Sequence, residues 1–308
     1  MRRTIEIDGL PVTVYDRGRG CPIVFLHGAT QDRTVWARQV AWFRHSSRTI
    51  SFDMRGHGRT PLGWDDGDDR QILTMDRLGA DCLAVMDTLG IERAVLCGVS
   101  LGGMVALNVA ARSPDRVTAL VLANTPLALS LNRRLLALID WLGPYRLLVP
   151  LLRVFDGRRI ARAGLWLAGV VLGPGWARGK ATVRFVEAFA RMSPEALVET
   201  YRAICEARLP PLGEIDAPVL VVTGTDEAGV IFRHAAEIAR GVGTAELATI
   251  PGGHVSNLDS PDAFNEALEN FFRRWLDQSS STLRDAVAVP DASPRKMPSA
   301  SAGSIRPS

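Results

Sequence analysis

Lysine is almost absent from this sequence, since only Lys180 and Lys296 stand among its 36 basic residues and the others are arginine. The formal net charge is nevertheless only +3, because 33 acidic residues oppose them. Nucleic-acid binding requires a clustered excess of positive charge, and the chain carries no nucleic-acid-binding motif. We therefore predict no nucleic-acid partner.

Cysteine is also scarce. The four cysteines lie far apart and form no C-x-x-C pair: Cys21, Cys82, Cys97 and Cys205. This spacing disfavours a structural zinc site and a disulfide framework, so we predict no metal ion. The first residues, 1–6, contain no apolar signal core. With its thiols unpaired, we expect the protein to be cytoplasmic.

Long apolar runs are missing as well. The longest uncharged stretch of note, 163–177, is interrupted by glycine and proline at 173–175. It is shorter than the roughly 20 residues that a membrane-spanning helix needs. We expect a soluble protein without membrane contact. The alternative, a transient surface contact through residues 165–167 and their basic flanks, stays open.

Short apolar runs that alternate with helix-like stretches indicate the fold class. A turn at Asp8-Gly9 between two alternating segments predicts a β-hairpin, because both turn residues must take positive φ. Six apolar runs follow, most of them separated by helix-like stretches: 23–26, 49–52, 94–97, 119–123, 219–223 and 245–250. Strands that do not alternate are buried on both faces, so the pattern predicts an α/β fold with a mainly parallel sheet.

This pattern breaks in two places, which divides the chain. Residues 127–208 show helical periodicity and no convincing strand, and we interpret them as an all-helical cap over the carboxyl edge of the sheet. The segments 1–126 and 209–277 then form the two parts of the α/β core. The last segment, 278–308, is rich in serine and poor in large apolar residues, which predicts a disordered tail.

The most specific motif is G-x-S-x-G at residues 98–102. It follows a buried strand and precedes a helix-like run, which is the context of a nucleophile elbow, a serine on a strained strand-to-helix turn. The flanking Gly98 and Gly102 let the neighbouring backbone approach closely. The helix N-terminus supplies positive potential for a developing oxyanion. We therefore predict that Ser100 is a nucleophile.

A serine needs a positioned base, and His254 is the histidine best placed to be one. Of the five histidines, only this one follows the last strand-like run, which puts it at the sheet edge that also carries Ser100. A carboxylate should orient the imidazole, and two acids follow the run 219–223, namely Asp226 and Glu227. Both acids are candidates on this reasoning. The order serine, acid, histidine differs from the orders of the two main serine-protease families.

Two backbone N–H groups should bind the oxyanion of the reaction. The first is that of Leu101, directly after the serine. The second should come from the loop after the run 23–26, where Ala29 is favoured and Thr30 is the alternative. His27 and Gly28 begin this loop, and we interpret His27 as a residue that pins the loop backbone. We interpret His57 in the same way, as a loop-stabilising residue.

These motifs resemble the α/β-hydrolase superfamily over roughly residues 1–277. The matching pieces are His27-Gly28, Asp53-Met54-Arg55-Gly56-His57-Gly58, Gly98-Val99-Ser100-Leu101-Gly102-Gly103 and Gly253-His254. The segments 100–105, 122–125 and 254–261 are similar to the 3-oxoadipate enol-lactonase group and to cofactor-free esterases and haloperoxidases. The resemblance implies a mostly parallel, eight-stranded sheet flanked by helices, a cap insertion and no cofactor.

The resemblance also bears on the choice of acid. The family's acid usually stands three residues after the glycine that ends its strand, and Glu227 occupies that position here instead of the usual aspartate. This favours Glu227 over Asp226. Dehalogenases and epoxide hydrolases of this fold carry an aspartate where Ser100 stands, so the resemblance argues against both of these activities.

The predicted function is hydrolysis of a small or medium, largely apolar carboxylic ester or lactone through an acyl-serine. Three alternatives stay open. The first is cofactor-free haloperoxidase or perhydrolase chemistry at the same site. The second is hydrolysis of a C–C bond, also at this site. The third is a receptor-like protein with little turnover. The arginines of the cap are either solvated or turned inward to hold an anionic substrate. A small-molecule substrate is the one partner that the sequence predicts.

Overall fold

In a computed structural model, residues 2–63, 72–127, 149–150, 152–172, 180–208 and 211–286 are described. Eight strands form one sheet: β1 (Arg2–Ile7), β2 (Leu10–Arg17), β3 (Pro22–Leu26), β4 (Arg48–Phe52), β5 (Ala94–Val99), β6 (Val117–Ala123), β7 (Val219–Gly224) and β8 (Ala245–Ile250). Their order across the sheet is β1-β2-β4-β3-β5-β6-β7-β8. The pairs β1–β2 and β2–β4 are antiparallel and the others are parallel. The predicted α/β fold with a mostly parallel, eight-stranded sheet is confirmed.

The predicted hairpin forms the antiparallel edge of this sheet. Ile7 pairs with Leu10, so Asp8 and Gly9 alone make the turn. Their φ angles are 50° and 76°, as a two-residue hairpin of this kind requires. The Asp-Gly signal in the sequence therefore identified the turn correctly.

Nine helices accompany the sheet in the described residues: α1 (Ala37–Phe43), α2 (Met75–Thr88), α3 (Leu101–Arg112), α4 (Gly157–Leu172), α5 (Lys180–Phe189), α6 (Pro194–Glu206), α7 (Gly229–Gly241), α8 (Ser256–Asp259) and α9 (Pro261–Ala286). The helices α4 to α6 fall within the predicted cap. The described residues of that segment contain helices and no strand. Residues 128–148, 151 and 173–179 of the cap lie outside the described residues, and its status as a separate domain stays a prediction.

The strands that lead to Ser100 and Glu227 are buried on both faces, which directs ligands to the edge of the sheet. Every residue of β5 and of β7 is buried. On one face Trp36 packs between Phe25 and Phe264, with ring centroids 5.2 and 5.7 Å away. On an open parallel sheet covered in this way, a ligand site forms outside the carboxyl ends of the strands. Among the described helices, none has the length and apolar character needed to cross a membrane.

The chain divides into two compact units after Phe271. Of the second unit, 272–308, the structure describes 272–286, which continue α9 as a helix. The predicted tail, 278–308, overlaps this helix at 278–286, and its disorder stays a prediction. Extending an existing helix adds one hydrogen bond for each residue fixed, whereas nucleating a new helix is costly, so polar residues can prolong α9. The remainder of the predicted tail, 287–308, lies outside the described residues.

Candidate active site

Ser100 lies on the turn between β5 and α3. Its φ and ψ are 53° and −116°, a conformation that costs a residue with a side chain about 1–3 kcal/mol. The surrounding backbone holds it there, because the Ser100 N–H donates to Ala123 O over 2.9 Å and its carbonyl accepts from Gly103 N and Met104 N. The turn therefore presents the hydroxyl at the carboxyl edge of the sheet, as the motif predicts.

His254 follows β8, and its ring reaches Ser100. The distance from His254 Nε2 to Ser100 Oγ is 3.0 Å, across 154 residues of sequence. The side chain is 12% exposed, so it lies mostly within protein and retains some access to solvent. The structure thus brings together Ser100 and His254, which the sequence links only through the order of the strands that precede them.

Glu227 is the acid that contacts His254. Its Oε2 lies 2.7 Å from His254 Nδ1, and its Oε1 accepts from the Ala228 N–H over 2.7 Å. Asp226 is exposed, and its carboxylate accepts a long hydrogen bond of 3.4 Å from the Thr225 hydroxyl. Because a carboxylate can only accept, Nδ1 carries the proton, and Nε2 is left to accept from the serine hydroxyl.

The loop after β3 lies against the start of α3. A Cβ on Gly102 would lie 2.2 Å from Leu26 O and 2.7 Å from His27 O, so the two segments are in backbone contact there. The Gly28 N–H is bound to the Gln31 side chain over 3.1 Å, and Ala29 comes next in the loop. Leu101 is the first residue of α3, where N–H groups have no acceptor within the helix.

The comparisons with known proteins place this geometry in a family. The sequence model of the alpha/beta hydrolase family matches residues 23–267. The chain belongs to this family. A relative among characterised sequences is 3-oxoadipate enol-lactonase 2 of Acinetobacter baylyi, which is 27% identical over 82% of this chain and 89% of that protein.

Solved structures of similar proteins agree with the fold of this hydrolase. A hydrolase from Pseudomonas aeruginosa is 25% identical, with a TM-score of 0.73 over 88% of this chain and 98% of that chain. The enol-lactonase from Burkholderia xenovorans is 24% identical, with a TM-score of 0.70 over 88% of this chain and all of that chain. The resemblance to the α/β-hydrolase superfamily is thereby confirmed.

The glycines around Ser100 of the hydrolase are fixed by close backbone contacts. A Cβ on Gly98 would lie 2.3 Å from the Gly102 carbonyl group, and one on Gly103 would lie 2.0 Å from Thr125 Oγ1. Real Cβ atoms do not approach other heavy atoms so closely. Both glycines are therefore needed to fold α3 tightly behind the serine.

We expect Gly98→Ala to destabilise the hydrolase by about 2 kcal/mol or more, since the added methyl group meets backbone that cannot yield. The measurement is urea unfolding followed by circular dichroism. The control is Gly164→Ala in α4, where a Cβ would meet nothing within 4 Å. This exposed helical position should gain about 0.5–1 kcal/mol. Equal stability of the two variants would contradict the expectation.

His27 and His57 are buried and pin loops, as the sequence suggested for both. His27 Nε2 accepts from the Met54 N–H over 2.9 Å, so Nδ1 carries the proton and donates to Gly28 O over 2.8 Å. His57 Nδ1 lies 2.9 Å from Arg55 O. Among the described residues, no polar group lies within hydrogen-bonding distance of His57 Nε2. Burial lowers the pKa of His27 to about 4 and that of His57 to about 3.

These pKa values predict a loss of stability in mild acid. Below pH 6.5 both histidines are protonated in the unfolded chain but stay neutral in the folded chain, so the free energy of unfolding falls as pH falls. This loss continues down to about pH 4 for His27 and about pH 3 for His57. Each histidine contributes a slope of up to about 1.4 kcal/mol per pH unit. Urea unfolding between pH 6.5 and 4.5 should show that His57→Asn removes one such slope. His45→Asn, which removes an exposed imidazole, should keep the wild-type slope, and identical slopes in all three proteins would refute the assignment.

Five described arginines of the predicted cap make contacts at the surface. Three of them pair with glutamates: Arg153 with Glu195, Arg158 with Glu187 and Arg202 with Glu206. Arg184 donates to the Thr34 hydroxyl over 3.1 Å, and Arg191 lies 3.8 Å from Asp32. These contacts favour solvated arginines over a clamp for an anionic substrate. Arg159 and Arg162 are exposed on α4, and four further arginines of the cap lie outside the described residues, namely Arg133, Arg134, Arg146 and Arg178.

No cluster of three or more histidine, cysteine or acidic side chains that could bind a metal ion occurs among the described residues.

Asn124, which belongs to one of the segments that carry the family resemblance, hydrogen-bonds to the loop of His254. Its φ of 45°, directly after β6, is a left-handed backbone conformation that few residues other than glycine adopt. The sequence signal is an asparagine directly after a buried strand, which is too common to single it out.

Proposed function

We propose that this protein is a serine hydrolase that cleaves small or medium carboxylic esters or lactones through an acyl-serine intermediate. The observation that carries the proposal is the continuous hydrogen-bonded chain from Ser100 Oγ through His254 to Glu227, with distances of 3.0 and 2.7 Å. Enol-lactone hydrolysis by a relative that matches most of this chain supports the same class of substrate.

In the proposed mechanism, His254 Nε2 takes the hydroxyl proton as Ser100 Oγ attacks the carbonyl carbon. The carbonyl π electrons move to its oxygen, and the N–H groups of Leu101 and Ala29 are proposed to bind this oxyanion. Glu227 stabilises the imidazolium that has formed. The tetrahedral intermediate then collapses, the bond to the leaving oxygen breaks, and that oxygen takes the proton from His254.

Water completes the cycle by the same steps in reverse. His254 removes a proton from water, the hydroxide adds to the acyl carbon, and the second intermediate expels Ser100 Oγ with return of the proton. The products are a carboxylic acid and an alcohol, or a single hydroxy or keto acid from a lactone. No cofactor enters the balance.

The proposal is tested with p-nitrophenyl esters of increasing chain length and a panel of lactones. We expect turnover of at least one class, with a burst of about one p-nitrophenol per protein whenever deacylation is slower than acylation. A fluorophosphonate should label Ser100, as located by mass spectrometry of peptides. Labelling at another residue would overturn the site. Stabilisation by a ligand without any turnover would instead favour the receptor-like alternative.

A further inference from the structure

Asn124 is fully buried directly after β6, and its side chain is oriented unambiguously. Its Oδ1 accepts from the Gly224 N–H over 2.9 Å. Because only the oxygen of a carboxamide can meet an N–H group, the NH₂ group must point the other way. There it lies 3.0 Å from His254 O and 3.0 Å from Ser256 Oγ, with Gly253 O at 3.3 Å. The side chain thus joins the end of β7 to the loop that carries His254.

The backbone at Asn124 is tied to the other parts of the site. Its N–H donates to Val222 O of β7 over 2.8 Å. The carbonyl of the preceding residue, Ala123, accepts from the Ser100 N–H over 2.9 Å. One short segment of β6 therefore contacts the nucleophile turn, the strand that leads to the acid and the loop of the base.

The segments around Asn124 are in close contact with little room to adjust. A Cβ on Gly224 would lie 2.3 Å from Gly252 O and 2.5 Å from Gly253 O. The φ of Asn124 itself is 45°, a region that asparagine and glycine tolerate better than other residues. The carboxamide fills the contact between β7 and the His254 loop by meeting polar groups on both sides.

We propose that Asn124 is a positioning residue, whose carboxamide fixes the backbone of His254 relative to the turn of Glu227 so that the imidazole stands between Ser100 Oγ and the carboxylate. This inference rests on the proposed function and adds a residue to its site. The Asn124 side chain bonds to the main chain of His254, whereas Ser100 Oγ and the Glu227 carboxylate bond to the His254 ring. It therefore acts through His254.

The physical reason is that both nitrogens of the His254 ring must be positioned precisely. The imidazole must keep Nε2 at 3.0 Å from Ser100 Oγ and Nδ1 at 2.7 Å from Glu227 Oε2 at the same time. A displacement of about 1 Å at such a site can cost roughly 100-fold in rate. Catalytic groups need to be held within about 0.5 Å by their supporting residues. Asn124 supplies that support from the β6 side of the loop.

The test uses two substitutions of Asn124 and one control. Asn124→Gly suits the positive φ and removes only the carboxamide. Asn124→Asp keeps an acceptor for the Gly224 N–H but turns a second acceptor toward His254 O, so it separates the two ends of the bridge. The control is Asn265→Ala, which removes another buried carboxamide (2% exposed), whose oxygen accepts from Gln39 Nε2 over 3.1 Å in a bond that involves none of Ser100, Glu227 and His254.

All proteins are assayed on the best ester of the panel, well below their unfolding temperatures. For Asn124→Gly and Asn124→Asp we expect kcat to fall about 10–100-fold while KM changes by less than about threefold. The rate of fluorophosphonate labelling at Ser100 should fall by a similar factor. Asn265→Ala should lower Tm and leave kcat within about twofold of wild type, because a purely structural loss does not change the turnover of folded molecules.

The possible outcomes separate the two proposals. A kcat within about twofold of wild type in both Asn124 variants, or an equal loss in Asn265→Ala, would overturn the role of Asn124 alone. If Asn124→Gly does not fold, the isosteric Asn124→Asp decides by the same criterion. A wild-type protein that hydrolyses nothing and resists the fluorophosphonate would overturn the proposed function, and the role of Asn124 with it.

Discussion

Replacement of Ser100 by alanine should lower kcat on the best ester substrate by about 10⁴-fold or more, to the level that binding and an oxyanion hole alone can sustain. The substitution removes the hydroxyl oxygen that lies 3.0 Å from His254 Nε2. Fluorophosphonate labelling should disappear with the activity. Steady-state kinetics and intact-protein mass spectrometry measure both effects.

The control for this prediction lies at the other end of the same helix. Ser113 ends α3 and makes no side-chain capping hydrogen bond, so Ser113→Ala should keep wild-type kcat and labelling. Ser100→Ala keeps the backbone contacts of the turn, and we expect its Tm to stay close to that of wild type. A Ser100→Ala variant that still hydrolyses esters at the wild-type rate would eliminate the acyl-serine route.

The fold and the serine–histidine pair were predictable from sequence because their signals are local. The run before Ser100 is buried throughout, and the two glycines of the motif are required by contacts near 2.2 Å that no Cβ could make. His254 was predictable because parallel strands deliver their carboxyl ends to one edge, so the order of strands alone places its loop near Ser100.

The acid was harder to predict because adjacent residues in a turn point in different directions. Asp226 N bonds to Gly252 O across the chain and Glu227 N bonds to Gly224 O within the turn, and together these bonds set which carboxylate faces the ring. Asn124 escaped prediction for a related reason, since its partners stand 100 and 130 residues away in the chain. The extension of α9 to Ala286 was not predicted, because amino-acid composition does not show that a helix already formed can continue into polar residues.

The second large effect should come from Glu227→Gln, for which we expect kcat to fall about 10³–10⁴-fold. Both carboxylate oxygens of Glu227 accept from N–H groups, one from Ala228 and one from His254, each over 2.7 Å. A glutamine has only one acceptor, so its NH₂ group must face one of these donors. If it faces His254, the ring moves its proton to Nε2, which can then no longer accept from Ser100.

Asp226→Asn is the matched control, since it removes one negative charge from the adjacent position of the same turn. Asp226 is exposed and its carboxylate accepts from the Thr225 hydroxyl, so this variant should keep kcat within about twofold of wild type. Both variants lose one negative charge at neighbouring positions, so a difference between their kcat values reports the position of the carboxylate and not its charge. A larger loss in Asp226→Asn than in Glu227→Gln would assign the orienting role to Asp226. Such a result would require the turn after β7 to rotate in solution, and it would break the bond between the Glu227 carboxylate and Ala228 N–H on which the present orientation depends.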